Sequence, residues 1–125
     1  MGTQVSKIPR KKILVVDDNE DARVLLAELL TKSGHEVETA EDGLTALQVL
    51  EEFQPDVAIL DIGLPGMDGC ELARRIRQLP AQAAVRLLAL TGYGQAADRS
   101  NTRAAGFDVH LVKPLDLQGL LGHLR

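Results

Sequence analysis

Residues 57–69 have the sequence VAILDIGLPGMDG. Four apolar residues end abruptly on the carboxylate of Asp61, and a loop with glycines and a proline follows. A short apolar run of this kind is typical of a strand buried on both faces. The strand delivers Asp61 to a crevice, and the glycine-rich loop lets backbone approach a ligand there. Taken alone, Asp61 favours a simpler interpretation, in which it only opens a turn.

The rest of the chain repeats an alternation of strand and helix patterns. Apolar runs predict strands at 13–16, 87–90 and 109–112, and polar–apolar alternation predicts an edge strand at 36–39. Five helices are expected between and after the strands. Four carry apolar stripes: Ala22, Leu25, Leu26, Leu29 and Leu30; Leu44, Leu47 and Leu50; Leu72, Ile76 and Leu79; Leu117, Leu120, Leu121 and Leu124. The remaining helix, 95–105, offers only alanines and is therefore a candidate for movement.

Helix boundaries are also readable. Asp42, Asp68 and Asp116 are placed to cap the second, third and fifth helices, and Glu71 stands in capping-box spacing after Asp68. Gly34 suits the C-terminal cap of the first helix.

This pattern predicts one α/β domain with a five-stranded parallel sheet over residues 12–125, preceded by a leader or linker at 1–11. The flavodoxin-like order 2-1-3-4-5 places the two polar-interrupted strands, 36–39 and 109–112, at the edges, with helices on both faces. The ligand crevice of such a sheet lies beyond the carboxyl ends of strands 1 and 3.

Composition excludes several classes of function. A net charge of -4 argues against nucleic acid as a direct partner. Arg74, Arg75 and Arg77 cluster on one helix, but a solvated helix face accounts for them. One cysteine, Cys70, allows no internal disulfide and fits a reducing compartment, and no apolar run has membrane-spanning length. We therefore expect a cytoplasmic protein without membrane insertion.

Polar residues follow four of the five strands at the same edge of the sheet: Asp17 and Asp18, Asp61, Thr91, and Lys113. Each has a structural explanation, since Asp18 or Asn19 can cap a helix, Thr91 can open a turn and Lys113 can be a surface lysine. Like charges about 4 Å apart, however, cost about 4 kcal/mol at an effective dielectric of about 20. Three carboxylates together therefore predict a compensating cation, and an all-oxygen site favours Mg²⁺.

In this combination the chain resembles the receiver domain of two-component response regulators, of the chemotaxis-regulator type. The resemblance covers residues 12–124. It depends on the acid pair at 17–18, Asp61 with the following LPGMDG at 64–69, Thr91, and Lys113-Pro114.

The resemblance implies a role for each matching residue. Asp61 would accept a phosphoryl group from a phosphohistidine of a histidine kinase or histidine phosphotransfer domain. Asp18, Asp61 and the backbone carbonyl of Gly63 would ligate Mg²⁺, or Mn²⁺ in its place, with Asp17 acting through water. Lys113 would pair with Asp61 or the phosphoryl group, and the Thr91 hydroxyl would bind a phosphoryl oxygen. The peptide bond before Pro114 would be cis.

Further positions would govern the lifetime of the phosphoryl group and the output of the domain. Gly63 and Tyr93 would flank an attacking water and tune a slow self-dephosphorylation. In relatives a Tyr or Phe three residues before the lysine fills the space that the threonine vacates, and a face formed by the fourth helix, fifth strand and fifth helix meets a downstream effector or dimer partner. His110 occupies that aromatic position here. It is either a polar residue on an edge strand or a switch residue with an imidazole that titrates near neutrality.

Three other functions compete. A phosphatase of the haloacid-dehalogenase type needs a second acid two residues after its nucleophile, where this chain has Gly63. A flavodoxin-like cofactor binder needs a phosphate-binding first turn, whereas residues 17–21 are DDNED. A scaffold that has lost phosphorylation is disfavoured because every phosphorylation position is filled. The receiver would be a single-domain regulator or part of a hybrid histidine kinase.

Overall fold

A computed structural model describes residues 10–82, 84–92 and 99–124. Its elements alternate along the chain as the sequence predicts. They are β1 (Lys12–Val16), α1 (Glu20–Lys32), β2 (Glu36–Ala40), α2 (Gly43–Phe53), β3 (Val57–Asp61), α3 (Gly69–Gln78), a 3-10 turn (Pro80–Gln82), β4 (Arg86–Thr91), α4 (Arg99–Ala105), β5 (Val109–Val112) and α5 (Leu117–Gly122).

The five strands form one parallel sheet in the order β2-β1-β3-β4-β5, which confirms the predicted topology. Every residue of β3 is buried, as expected for a central strand, whereas β2 alternates between exposed and partly buried residues until Ala40. The register places Asp61 opposite Leu90 and Thr91 opposite Val112. The carboxyl ends of β1, β3, β4 and β5 therefore open on one edge of the sheet.

Alternate residues of each strand face opposite layers of helices. Leu14, Ala58 and Leu60 belong to the core beneath α2, α3 and α4, whereas Ile13 and Ile59 belong to the core beneath α1 and α5. Both cores are almost entirely aliphatic, which follows from a chain with only three aromatic residues. Aliphatic burial on both faces stabilises the sheet and holds the strand ends in place.

The predicted caps are confirmed. The side chains of Asp42, Asp68 and Asp116 each accept a backbone N–H at the start of α2, α3 and α5, and Asn19 does the same for α1. Asp18 is thereby excluded as the α1 cap. Glu71 does not complete a capping box, because its carboxylate bonds instead to Arg74 and Arg75 on the next turn.

The apolar stripes of two helices are only partly in the core. Leu25 of α1 is 57% exposed and Leu44 of α2 is 67% exposed. In α2 the buried residues are Gly43, which lies against the side chain of Met67, together with Ala46 and Leu50, and Leu44 lies outside this buried face. The apolar arc of α1 is wider than the strip that the sheet covers, so that only Leu30 is fully enclosed.

The described part of α4 is anchored by two buried side chains, Thr102 and Ala105, in keeping with the predicted weak anchoring. Residues 95–98 of the predicted helix lie outside the described residues. Arg77 does not belong to a solvated face as predicted, because its guanidinium donates to the carbonyls of Gly106 and Val85 and to the carboxylate of Asp108. Among the helices that the structure describes, none is both long and apolar enough to cross a bilayer.

Candidate functional site

The carboxyl ends of β1 and β3 bring three carboxylates together. Asp17, Asp18 and Asp61 each offer one oxygen to a cluster whose members all lie within 4.8 Å of one another. Asp17 and Asp61 are 3% and 6% exposed, whereas Asp18 is exposed. Two carboxylates of the cluster are therefore buried, and the third is open to solvent.

The turn after β1 holds Asp17 in place. Asp17 Oδ1 accepts the Asn19 N–H at 2.9 Å, and Arg23 of α1 donates to the Asp17 carbonyl at 2.9 Å. Burial raises the pKa of the Asp17 carboxyl above its ordinary value, and the negative charge of Asp61 adds to the rise, although the Asn19 hydrogen bond and Lys113 oppose it. Burial therefore makes the charged form of Asp17 less favourable than it is in water.

Both oxygens of Asp61 are engaged. Oδ1 accepts the Gly63 N–H at 2.8 Å, and Oδ2 accepts from Lys113 Nζ at 3.1 Å. The backbone beneath Asp61 is tightly packed, because a Cβ at Gly69 would lie 2.6 Å from the Asp61 carbonyl oxygen. Gly69, the second glycine of the LPGMDG segment, is therefore required for the start of α3 to pass this close to β3.

Lys113 bridges the two buried carboxylates. Its Nζ lies 3.1 Å from Asp61 Oδ2 and 3.4 Å from Asp17 Oδ2. Burial opposes the ammonium charge, but the hydrogen bond and charge of Asp61, together with those of Asp17, outweigh it and raise the Lys113 pKa. Lys113 therefore remains protonated across the physiological range. The peptide bond between Lys113 and Pro114 is cis, as the resemblance implies.

Thr91 is the last residue of β4, and the side chain of His110 reaches it from the second residue of β5. Thr91 Oγ1 lies 3.4 Å from His110 Nε2 and 3.4 Å from the Leu111 carbonyl oxygen, to which it donates. On the other side of the imidazole, Nδ1 lies 3.2 Å from Thr102 Oγ1 of α4. No pattern in the sequence singles out Thr102, because a lone threonine between Asn101 and Arg103 on a short helix has no local signature.

The structure leaves two predicted positions without a direct test. Tyr93 lies outside the described residues. Gly63 is at the site through its N–H bond to Asp61, but no described contact involves its carbonyl, so its role as a metal ligand stays a prediction.

The donor set fits a hard divalent cation. Three carboxylates with a single nearby ammonium leave net negative charge, and the donors are all oxygens, as Mg²⁺ prefers. No histidine or cysteine belongs to the cluster among the described residues, so nothing there favours a softer metal.

Comparison with known proteins gives a consistent result. Residues 13–125 match the family model of the response regulator receiver domain. Sporulation initiation phosphotransferase F of Bacillus subtilis is 35% identical over 107 residues, which make up 86% of this chain and 85% of that protein. The chemotaxis protein CheY4 of Vibrio cholerae is 31% identical with a TM-score of 0.85, over 94% of this chain and all of that one. The receiver domain of a signal transduction histidine kinase from Syntrophus aciditrophicus is 27% identical with a TM-score of 0.83, over 91% of this chain and 86% of that one.

Proposed function

Since this chain belongs to the receiver domain family of two-component response regulators, we propose that it is a phosphoacceptor module in which Asp61 receives a phosphoryl group from a phosphohistidine. The observation that carries the proposal is the contact of one protonated lysine, Lys113, with both buried carboxylates at the rim. The donor is a histidine kinase or a histidine phosphotransfer domain.

The transfer needs little besides position and charge. A carboxylate oxygen of Asp61 forms a bond to phosphorus while the phosphorus–nitrogen bond breaks, and the electron pair stays on the donor imidazole, which takes up a proton. Lys113 has to give up part of its contact with Asp61 and is then close enough to neutralise the oxygens of the transferred group. Because Asp17 and Asp61 are buried, water has limited access to their carboxylates.

Magnesium is the expected cofactor, with manganese as a substitute. Asp18, Asp61 and the Gly63 carbonyl would hold the ion, with Asp17 acting through water. When bound, it supplies positive charge that offsets the three carboxylates and the incoming phosphoryl oxygens. Asp18 is free to take part, since it is not used as a helix cap.

An apolar groove beside the site suits the docking of the donor. Leu25, Leu26 and Leu29 of α1 face Pro114 and Leu115 across a cleft of about 250 Å³, which also reaches Asp17 and Lys113. A phosphohistidine must approach Asp61 over this rim, so the protein that bears it covers the groove. The exposure of Leu25 is then explained by a partner instead of by the core.

Phosphorylation is read out as a shift in population. Thr91 moves onto the phosphoryl group, His110 responds, and the face formed by α4, β5 and α5 presents a changed surface to a downstream effector or dimer partner. Slow self-dephosphorylation, tuned at Gly63 and Tyr93, ends the signal. The domain therefore catalyses its own phosphotransfer and dephosphorylation but turns over no external substrate.

Two arrangements of the parent protein fit this function. The relatives include a regulator of similar length and a receiver domain of a histidine kinase. In either arrangement the receiver works in the cytoplasm and binds no nucleic acid itself. The coding sequence on both sides of this chain distinguishes them.

The proposal is tested by chemical phosphorylation. Incubation with acetyl phosphate and Mg²⁺ should add one phosphoryl mass to the intact protein, and hydroxylamine should remove it, because hydroxylamine attacks the carbonyl of an acyl phosphate but leaves phosphate esters of serine and threonine intact. Asp61→Asn should abolish the adduct, since an amide oxygen is a poor nucleophile. Mass spectrometry measures both.

Asp21→Asn is the matched control, because Asp21 is an exposed carboxylate on the first turn of α1. It should be labelled like the unmodified chain. Equal labelling of Asp61→Asn would instead identify another acceptor and reject the proposal.

A further inference from the structure

A buried threonine of α4 contacts the side of the imidazole that faces away from the phosphorylation rim. Thr102 is 3% exposed, and its hydroxyl lies 3.2 Å from His110 Nδ1. The other ring nitrogen, Nε2, lies 3.4 Å from Thr91 Oγ1. The imidazole therefore spans two hydroxyls that belong to β4 and α4.

Because of the sheet order, the Thr91 hydroxyl cannot bond β5 and a phosphoryl group on Asp61 at the same time. The side-chain hydrogen bonds of Thr91 go to β5, to His110 and to the Leu111 carbonyl. Asp61 lies at the end of β3, on the opposite side of β4. A hydroxyl that bonds a phosphoryl oxygen on Asp61 has to turn away from β5, and it then leaves His110 Nε2 without this partner.

We propose that Thr102 is a positioning residue that acts through His110: its hydroxyl holds the imidazole in the orientation that keeps the Thr91 hydroxyl on β5. The proposal rests on the proposed function, because it assigns Thr91 to the phosphoryl group. The bond between His110 Nε2 and Thr91 is lost when Thr91 turns to the phosphoryl group. The ring orientation that Thr102 holds therefore stabilises the unphosphorylated arrangement.

The hydrogen bond between Thr102 and His110 also connects α4 to the phosphorylation site. Beside Thr102, the buried side chain in the described part of α4 is Ala105, so apolar burial holds the helix weakly. The hydrogen bond between Thr102 and His110 therefore couples this weakly held helix to the arrangement of Thr91.

The test compares beryllofluoride affinity in the presence of Mg²⁺, since beryllofluoride mimics a phosphoryl group on an aspartate. Thr102→Val keeps the shape of the side chain but removes the hydroxyl. It should tighten beryllofluoride binding about three- to tenfold, because the imidazole is no longer held where it bonds Thr91 in the unphosphorylated arrangement. Thr102→Ser keeps a hydroxyl and should bind with the affinity of the unmodified chain. Isothermal titration calorimetry measures all three proteins.

A second background separates a link through His110 from a general effect on packing. In His110→Phe the ring has no nitrogen, so adding Thr102→Val should change the affinity no further. An equal tightening in both backgrounds, or no tightening in the unmodified background, would overturn the proposal, and so would an equal effect of Thr102→Ser. If Thr102→Val does not fold, Thr102→Ala takes its place in the same design.

A readout without phosphorylation keeps the two proposals apart. The ¹⁵N resonances of the His110 ring in the unphosphorylated protein should shift in Thr102→Val and not in Thr102→Ser. Unshifted resonances would overturn the link whether or not Asp61 is the acceptor. Failure of the unmodified chain to bind beryllofluoride or to accept phosphate would reject the proposed function, and with it the role of Thr102.

Discussion

Asp17 and Asp61 are two buried carboxylates that share one ammonium, that of Lys113. If all three are ionised, the group keeps one net negative charge in a partly desolvated place, which is costly unless a further cation is bound. Burial raises the pKa of the Asp17 carboxyl, and the negative charge of Asp61 adds a smaller rise. Binding of a cation would relieve this repulsion between the carboxylates. The cluster is therefore better explained by cation binding than by a contribution to the stability of the fold.

A buried ionisable residue away from the site, His35, predicts a pH dependence of stability. His35 is 3% exposed, its Nδ1 accepts the Lys11 N–H at 3.1 Å, and its Nε2 has no hydrogen-bond partner among the described residues. Burial, with the nearby charge of Lys11, lowers its pKa below 6.5. The unfolded chain therefore binds a proton more readily than the folded chain, and stability should fall as the pH drops below about 6.5, levelling off below the folded pKa.

Urea unfolding at pH 7.5 and pH 5 measures this effect. The loss of unfolding free energy at the lower pH should be smaller in His35→Gln, which cannot be protonated, than in the unmodified chain. His123→Gln, at the end of α5, is the matched control and should keep the pH dependence of the unmodified chain. The same pH dependence in His35→Gln would show that other groups cause it.

At the scale of elements, α3 and the segment after α4 are joined by one guanidinium. Arg77 Nε and Nη2 donate to the Gly106 carbonyl at 3.0 and 2.7 Å, and Nη2 also reaches Asp108 at 2.9 Å. Asp108 in turn accepts the Leu87 N–H at the start of β4. This fork ties α3, β4 and the turn that leads into β5, and it compensates for the few apolar contacts of α4.

Arg77→Lys should therefore destabilise the fold by about 1–3 kcal/mol, because a lysine keeps the charge but cannot satisfy the same carbonyls at once. Arg74→Lys makes the same change three residues earlier, at an exposed position whose ion pair in the described part of the chain is with Glu71, and should leave stability unchanged. Chemical denaturation measures both variants. Equal midpoints for the two would mean that the Arg77 fork adds nothing to stability.

At the scale of the whole molecule, cation binding is linked to folding. The three carboxylates come from segments that are 44 residues apart in the chain, at 17–18 and 61, and they meet only when β1 pairs with β3. The unfolded chain has no such cluster, so Mg²⁺ binds the folded state selectively. It should raise the free energy of unfolding by about 2.7 kcal/mol when its concentration is about 100 times the Kd.

Asp18→Ala should remove most of this Mg²⁺ effect while changing the stability of the magnesium-free protein little, because Asp18 is exposed and caps no helix. Thermal unfolding with Mg²⁺ and with EDTA measures the difference, and Asp21→Ala is the control that should respond to Mg²⁺ like the unmodified chain. A full Mg²⁺ effect in Asp18→Ala would reject Asp18 as a ligand.

Much of this molecule is predictable because it is written in local patterns. Apolar runs and one polar–apolar alternation mark the strands, and polar residues mark the starts of most helices. The parallel topology then brings Asp17, Asp61, Thr91 and Lys113 to one rim. Each of these steps depends on residues that are neighbours in the chain or on a general rule of sheet geometry.

The sequence by itself therefore determined the strand order, the helix caps and the rim of polar residues. Only the tertiary structure decided that Leu25 and Leu44 face outward, that Arg77 binds carbonyls across the fold, and that His110 lies between Thr91 and Thr102. The physical reason is that a helical period identifies an apolar arc but not the part of it that the sheet covers. Contacts between residues far apart in the chain depend on how closely two elements approach, and that distance is set by the packing of the whole core.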